Sequence, residues 1–141
     1  MVTIGKQVDI AGLGATGIIS RTLTEEDCAI VISYSGNNEY AEPAIHIKTM
    51  LSNHVPVIGI TSGGDNYIRK SLNCVLTMSS RERLYTKISN FATEESIIYI
   101  LNVLFSCYFA EDYENNKVFK IKNSKILEYD RNAILKEMQD L

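Results

Sequence analysis

The chain has 141 residues, of which 45% are hydrophobic and 22% charged, and its net charge is -3. This length predicts one domain that is large enough to bury a real core. Lys and Arg are scattered and number 14 against 17 Asp and Glu, which argues against DNA binding through a basic surface of this chain.

The first half of the chain alternates short apolar runs with polar or helix-like segments. We predict a short strand at residues 6–10, a glycine-rich and weakly helical segment at 12–23, a buried strand at 28–32 and a helix within 39–53. Pro43 must lie in the first turn of that helix or bend it, because a proline deeper in a helix removes a hydrogen bond.

The same alternation continues to residue 78. A buried strand is predicted at 55–60, a polar glycine-rich loop at 61–66, a short helix at 67–72 and a third strand at 74–78. Strands that are apolar throughout and alternate with helices are typical of a parallel β-sheet covered by helices on both faces. The fold class predicted from the residues is therefore α/β.

The last third of the chain is predicted to be helical. A long helix is expected at about 84–109. An apolar stripe along a helix is more often part of a core or a dimer interface than a cofactor site. Here the stripe consists of Ile88, Phe91, Ile98, Leu101, Phe105 and Tyr108. A charged break is expected at 111–117. A weakly amphipathic helix is expected at 118–141, with possible contact points at Ile126, Tyr129, Ile134 and Met138.

The cysteines and the hydropathy of the sequence indicate the cellular compartment of the protein. Cys28, Cys74 and Cys107 form no C-x-x-C pair and have no histidine at metal-ligand spacing, so we expect buried reduced thiols in a cytoplasmic protein. The longest apolar stretch, at 97–109, is interrupted and too short to span a bilayer. No signal peptide is recognised at the N-terminus, and no metal or cofactor is expected.

A glycine motif near the N-terminus offers one candidate site. Gly12, Gly14 and Gly17 match G-x-G-x-x-G after the strand predicted at 6–10. In a dinucleotide-binding fold an acid that holds the ribose should follow about 20 residues later, and here that place is taken by Ser33 and its neighbours. We interpret the motif as a glycine-rich segment without a cofactor.

The segment at 27–40 offers a stronger candidate. Its apolar run ends in Ser33, Ser35, Gly36, Asn37 and Asn38, just before a helix-like pattern. Ligands of parallel sheets bind at this kind of junction, and hydroxyl and backbone N–H donors near a helix N-terminus suit a phosphate. The alternative, weighed about equally on the local sequence, is a polar turn in which Asn37 or Asn38 caps the next helix.

The segment at 27–40 resembles the phosphate loop of SIS (sugar isomerase) domains, roughly D-x-x-I-x-x-S-x-S-G-x-T-x-E. The spacing to the strand and Thr at 55–61 is also similar, and the segments at 85–92 and 99–105 are most similar to RpiR-type transcriptional regulators. The resemblance covers residues 4 to about 110. It implies a flavodoxin-like three-layer sandwich at 1–110, with a helical tail at 111–141.

The resemblance implies a function as well as a fold. It implies a sugar-phosphate sensor, in which Ser33, Ser35 and the residue at position 38 bind the phosphate with nearby backbone amides. Family members bind DNA through a helix-turn-helix domain that precedes the sensor, and they form homodimers. Lys87 lies on the helix that borders the family's pocket; a solvated surface lysine is the simpler interpretation, which we favour by about two to one.

Two departures from the family pattern stand out. Asn38 replaces the usual threonine; it can still donate to a phosphate, with a different reach. Only 21 positions separate Gly12 from Ser33, so residues 6–10 are aligned with the family's second strand. The first βα unit and the DNA-binding domain are then expected to lie outside this chain, which would be a fragment or a truncated member.

Three functions remain open at this point. The chain is expected to bind a phosphorylated sugar without turnover. An isomerase on the same fold would need a positioned base, and Glu39 is the one acid that the spacing places near the serines. In a pure dimerisation module the polar loop would be inert. We therefore expect no catalytic residue, no metal site and no membrane partner.

Overall fold

The computed structural model describes residues 1–128 except Leu13, Ser80 and Leu84. These residues divide into two compact units, one drawn from Met1–Asp9 and the described residues from Val103 onward, and the other from Ile10–Asn102. The domain boundary expected near residue 110 falls within the last turns of a helix, Phe91–Glu111, and stays a prediction.

The larger unit is built on three parallel strands, β1 (Ala29–Ser33), β2 (Val57–Thr61) and β3 (Cys74–Thr77), in the order β1-β2-β3. The three strands were predicted within two residues from their apolar runs. The chain is therefore an α/β protein with one open parallel sheet, as expected.

Helices connect and follow the strands. They are α1 (Thr16–Thr22), α2 (Ile47–Ser52), α3 (Tyr67–Ser71), α4 (Phe91–Glu111) and α5 (Tyr113–Leu127), with short 3-10 turns at Val2–Ile4 and Ala44–His46. Pro43 directly precedes the second of these turns, so the helix predicted at 39–53 begins where the proline allows it.

The core of the larger unit lies on one face of the sheet. It joins side chains of β1 and β2 to those of α2, α3 and the adjoining turns: Val31, Ala44, Ile47, Met50, Val55, Val57, Ile68 and Leu72. On the opposite face Ile60 is fully buried, whereas Ile30 and Ile32 of the edge strand β1 are 45% and 36% exposed.

The strand predicted at residues 6–10 is not formed. The segment has no helical or strand conformation in the structure, and its apolar residues Val8 and Ile10 are 51% and 93% exposed. Without a buried face there is no packing energy to hold these residues against a sheet edge. Their assignment to the family's second strand is therefore wrong.

The helical predictions for the last third are correct in type and wrong in boundaries. α4 begins at Phe91, so Ile88 lies outside it, and Phe91, Ile98, Leu101 and Tyr108 are exposed in the single chain. The break expected at 111–117 shrinks to one residue, Asp112, before α5. Of the contact points expected on the last helix, Ile126 is exposed, and Tyr129, Ile134 and Met138 lie outside the described residues.

The cysteines differ from expectation in one respect. All three thiols are free, but Cys28, Cys74 and Cys107 are exposed rather than buried. Cys28 precedes β1 and Cys74 begins β3, the two edge strands, where the sheet gives less cover. Partial burial, with a smaller contribution from the nearby Cys74, raises the pKa of Cys28. None of the helices in the described part of the chain is long and apolar enough to cross a bilayer.

Gly59 allows α3 to pack closely on the central strand. A Cβ atom at this position would lie 2.6 Å from Cγ2 of Ile68 and 3.0 Å from Cδ1 of Leu72. We predict that Gly59→Ala lowers the free energy of unfolding by about 1–3 kcal/mol, because both neighbours are buried and cannot move freely. Urea unfolding measures this loss.

Gly12→Ala is the matched control for this change. No heavy atom lies within 4 Å of a Cβ built there, so the midpoint of unfolding should move little. Equal stability of Gly59→Ala and the native protein would contradict the packing argument.

Candidate functional site

The carboxyl ends of the three strands form one polar edge. The register pairs Ser33 with Thr61 and Thr61 with Thr77, so each strand ends in a hydroxyl side chain at the same level. The serine-containing segment at 33–38, which we call the serine loop, starts at this edge. It lies where parallel sheets bind ligands.

Gly36 sets the shape of the serine loop. Its φ is +60°, and a Cβ atom there would lie 2.6 Å from Oγ1 of Thr61 and 2.9 Å from Oδ1 of Asn66. The N–H of Gly36 donates to Oγ of Ser33 at 3.3 Å, which closes a tight turn. Only glycine combines this left-handed conformation with so close an approach.

Two buried side chains, those of Thr61 and Asn66, hold the serine loop through hydrogen bonds. The hydroxyl of Thr61 donates to the carbonyl of Tyr34 at 3.2 Å and accepts from Nδ2 of Asn66 at 3.2 Å. Thr61 is 0% exposed and Asn66 3% exposed. Oδ1 of Asn66 in turn accepts from the N–H of Arg69 in the first turn of α3. The loop is thus anchored to β2 and to α3.

Backbone donors complete the anchor. The N–H of Ser62 donates to the carbonyl of Tyr34 at 3.0 Å, and the N–H of Ile68 donates to the carbonyl of Gly36 at 3.1 Å. Both carbonyl oxygens are therefore occupied by protein donors. Partial negative charge that would oppose an anion is neutralised on this side of the loop.

The donors of the serine loop remain available. Within the described residues, the N–H groups of Ser35, Asn37 and Asn38 and the exposed hydroxyl of Ser35 have no hydrogen-bond partner. Oδ1 of Asn38 accepts from the N–H of Tyr40 at 3.0 Å, which leaves its Nδ2 group as a donor. This bond closes a turn and caps no helix, because the next helical turn begins at Ala44 with Pro43 as its N-cap. The capping alternative is therefore wrong for Asn38.

Lys87 contacts the serine loop through Tyr34. It precedes α4, which begins at Phe91, so its expected place on that helix is wrong. Its ammonium group is 5.7 Å from the centroid of the Tyr34 ring, 2.6 Å from Oδ1 of Asn90 and 3.9 Å from Oε2 of Glu82. Tyr34 stands between Ser33 and Ser35 in the chain. Five of the candidate site residues, Ser33, Ser35, Gly36, Asn37 and Asn38, thus lie in the serine loop, and the sixth, Lys87, reaches the loop at Tyr34.

Two carboxylates near the serine loop are held by other groups. Glu39 pairs with Lys48 at 3.1 Å, and the hydrogen bond from Lys48 lowers the pKa of Glu39. Partial desolvation opposes ionisation of Glu82, but hydrogen bonds from the Thr93 N–H and hydroxyl, with a smaller contribution from Lys87, lower its pKa overall. Both groups are therefore ionised and weakly basic.

Sequence reasoning missed part of this arrangement. Residue 61 was expected to begin a polar loop, whereas Thr61 ends β2, is buried and anchors Tyr34. Asn66 was given no role from the sequence, and Glu82 was not singled out. Asn66 carries a local signal, since its side chain caps α3, whereas Glu82 and Thr93 are 11 positions apart in the chain.

His46 and the glycine motif have contacts of their own. His46 bonds Glu42 through Nε2 at 2.8 Å, and Glu42 also accepts from the hydroxyl of Thr16 at 2.7 Å. A Cβ atom built at Gly12 or Gly14 would have no other heavy atom within 4 Å. Among the described residues no three His, Cys, Asp or Glu side chains are placed to hold a metal ion.

One solved structure shows a clear likeness. The structure of the Vibrio vulnificus NanR protein complexed with ManNAc-6P matches 94% of this chain with a TM-score of 0.73 and 16% sequence identity. This chain spans 49% of that protein. At this identity the likeness shows a shared fold. No protein-family model matches the chain, and no curated protein matches its sequence.

The Thr61 anchor can be tested by removing one hydroxyl. We predict that Thr61→Val lowers the free energy of unfolding by about 1–3 kcal/mol, because it leaves the buried Nδ2 group of Asn66 without its acceptor. Chemical denaturation measures the loss. Thr86→Val, at an exposed position, is the control, and an equal effect of both changes would contradict the anchor.

The lowered pKa of Glu82 predicts that the stability of the protein depends on pH. A carboxyl whose pKa is lowered on folding stabilises the protein above its ordinary pKa, here 4.5, and this contribution is lost as the pH falls through the folded value. The native protein should therefore exceed Glu82→Gln in free energy of unfolding at pH 7, and the difference should shrink below about pH 4.5.

The matched control for this pH dependence is Glu95→Gln, which removes the same charge from an exposed position of α4. Unfolding curves between pH 3 and pH 7 provide the measurement. A difference between the native protein and Glu82→Gln that is constant over this range would show that ionised Glu82 is not stabilised by its contacts.

Proposed function

We propose that this chain is the sugar-phosphate-binding domain of a bacterial transcriptional regulator of the RpiR type, with an SIS fold. The observation that carries the proposal is the serine loop itself. Its carbonyl groups are bound from below, while several neutral donors and the nearby Lys87 are left for an anion. A phosphate with several oxygen acceptors is the ligand class that such a set of donors suits.

The comparison supports the same ligand class. The NanR protein, with which this chain shares its fold, is complexed with ManNAc-6P. The resemblance of residues 27–40 to the SIS phosphate loop is independent of that fold match, since it rests on the order of the residues. Both support a phosphorylated sugar as the ligand. We propose that its phosphate group binds at Ser33, Ser35, Gly36, Asn37, Asn38 and Lys87.

The site favours binding without turnover. A general base is most effective when its pKa lies near the working pH, whereas the pKa values of Glu39 and Glu82 are both lowered by their hydrogen bonds. Neither carboxylate suits the proton transfer between adjacent carbons that an isomerase performs. We therefore propose a sensor rather than an isomerase.

The regulatory part of the proposal concerns the whole protein. In this proposal DNA is bound by an N-terminal domain outside the present sequence, the protein acts in the cytoplasm, and two copies form a homodimer. The exposed apolar side chains of α4 support the homodimer, because apolar surface in such quantity is commonly covered by a partner.

Thermal unfolding with a panel of small molecules tests the ligand class. Glucosamine 6-phosphate and ManNAc-6P should raise the melting temperature, whereas glucosamine and ManNAc should not. At 100 times the Kd a ligand stabilises by about 2.7 kcal/mol, which is readily measured. No shift with any phosphorylated sugar would favour the dimerisation module, and chemical conversion of a sugar during incubation would favour the isomerase.

Ser35 is the sharpest single test of the serine loop. We predict that Ser35→Ala weakens binding of the sugar phosphate about tenfold and leaves the fold intact, because the lost donor is exposed and makes no bond within the described residues. Titration calorimetry measures the change.

Ser52→Ala is the control for Ser35→Ala. Ser52 is also exposed, but its hydroxyl donates only to the carbonyl of Lys48 at the end of α2, so affinity should not change. Unchanged affinity of Ser35→Ala would remove this hydroxyl from the site.

A further inference from the structure

Glu82 is a carboxylate held in place 3.9 Å from the ammonium group of Lys87. Its side chain is 8% exposed, its Oε1 accepts from the N–H of Thr93 at 3.0 Å, and its Oε2 accepts from the Thr93 hydroxyl at 2.8 Å. Thr93, in the first turn of α4, is itself buried. The negative charge of Glu82 is therefore fixed in position by the start of that helix.

Lys87 is held less firmly. Among the described residues, the one short contact of its ammonium group is the hydrogen bond to Asn90, whereas Oε2 of Glu82 lies at 3.9 Å, beyond hydrogen-bond distance. The Lys87 side chain is 30% exposed, and the Tyr34 ring adds a cation–π contact. An ammonium group on a flexible stem with such contacts can move to a stronger anion.

We infer that Glu82 lowers the affinity of the serine loop for phosphate by competing with the ligand for the ammonium group of Lys87. This inference rests on the proposed function, because it assumes that an anion binds at the loop. Glu82 is then a positioning residue, which acts on the ligand through Lys87. It makes binding selective for ligands with enough negative charge to take over the ammonium group.

The physical basis is competition between two anions, the Glu82 carboxylate and the phosphate, for one cation, the Lys87 ammonium group. In the free protein Lys87 is partly neutralised by Glu82, so the bound phosphate gains only the difference between the two interactions. An ion pair of this exposure is weak, and its removal should change affinity by a factor of about two to five. The effect must disappear when Lys87 carries no charge.

A double-mutant cycle with inorganic phosphate tests the competition. Titration of a 15N-labelled sample, followed by NMR at the amides of the serine loop, measures even millimolar Kd values in a chain of 15.8 kDa. We expect Glu82→Gln to bind phosphate about two to five times more tightly than the native protein, and Lys87→Met to bind it more weakly. The variant with both changes should match Lys87→Met.

Asn90→Ala is a second route to the same result and places the fold at little risk, because Asn90 is exposed and its side chain bonds Lys87. It should also tighten binding, and only while Lys87 is present. The control is Glu95→Gln, which removes a charge from an exposed position of α4 and should leave the Kd for phosphate unchanged.

The outcomes separate this inference from the proposed function. One outcome is that the native protein binds phosphate, with weaker binding in Lys87→Met, while Glu82→Gln and Asn90→Ala bind phosphate no more tightly than the native protein. That result overturns the inference alone. A gain that persists in the Lys87→Met background overturns it as well, since the effect would then be a general one of charge. If the native protein binds neither phosphate nor any sugar phosphate, both proposals fail together.

Discussion

The buried hydroxyl of Thr61 is the contact on which the rest of the candidate site depends. It donates to the carbonyl of Tyr34 and accepts from Asn66, and so it joins the end of β1 to the connection between β2 and α3. A polar group buried without partners would cost several kcal/mol, but here the side-chain N and O atoms of both residues are bonded. The shape of the serine loop follows, because Gly36 must pass within contact distance of these two side chains.

The same anchor orients the charges of the loop. Since the carbonyl groups of Tyr34 and Gly36 accept from the donors of the β2–α3 segment, the free N–H groups of the loop are left on the outside. Close packing elsewhere supports this arrangement: Gly59 lets α3 approach β2, and α3 carries both Asn66 at its N-terminus and the N–H of Ile68. The apolar core and the polar edge are thus two consequences of one short helix packed on the central strand.

Much of the fold could be predicted from the sequence where local patterns agree with tertiary packing. The runs that became β1, β2 and β3 are apolar and flanked by polar turns, and the serine loop was found from its residues alone. The strand predicted at 6–10 failed because alternation of residue types does not show whether a partner strand exists. The role of Thr61 and the position of Glu82 depend on contacts between distant segments, which no local spacing encodes.

Net charge would not have suggested an anion site in a chain with a charge of -3. What decides anion binding is the local field. Glu39, which directly follows the serine loop, is paired with Lys48, whereas Glu82 is bonded by Thr93 and lies 3.9 Å from Lys87. Local charge and total charge are separate properties of a surface. An acidic protein can accordingly offer a phosphate site, provided that its nearby carboxylates are neutralised by their own neighbours and its loop carbonyl groups are bound elsewhere.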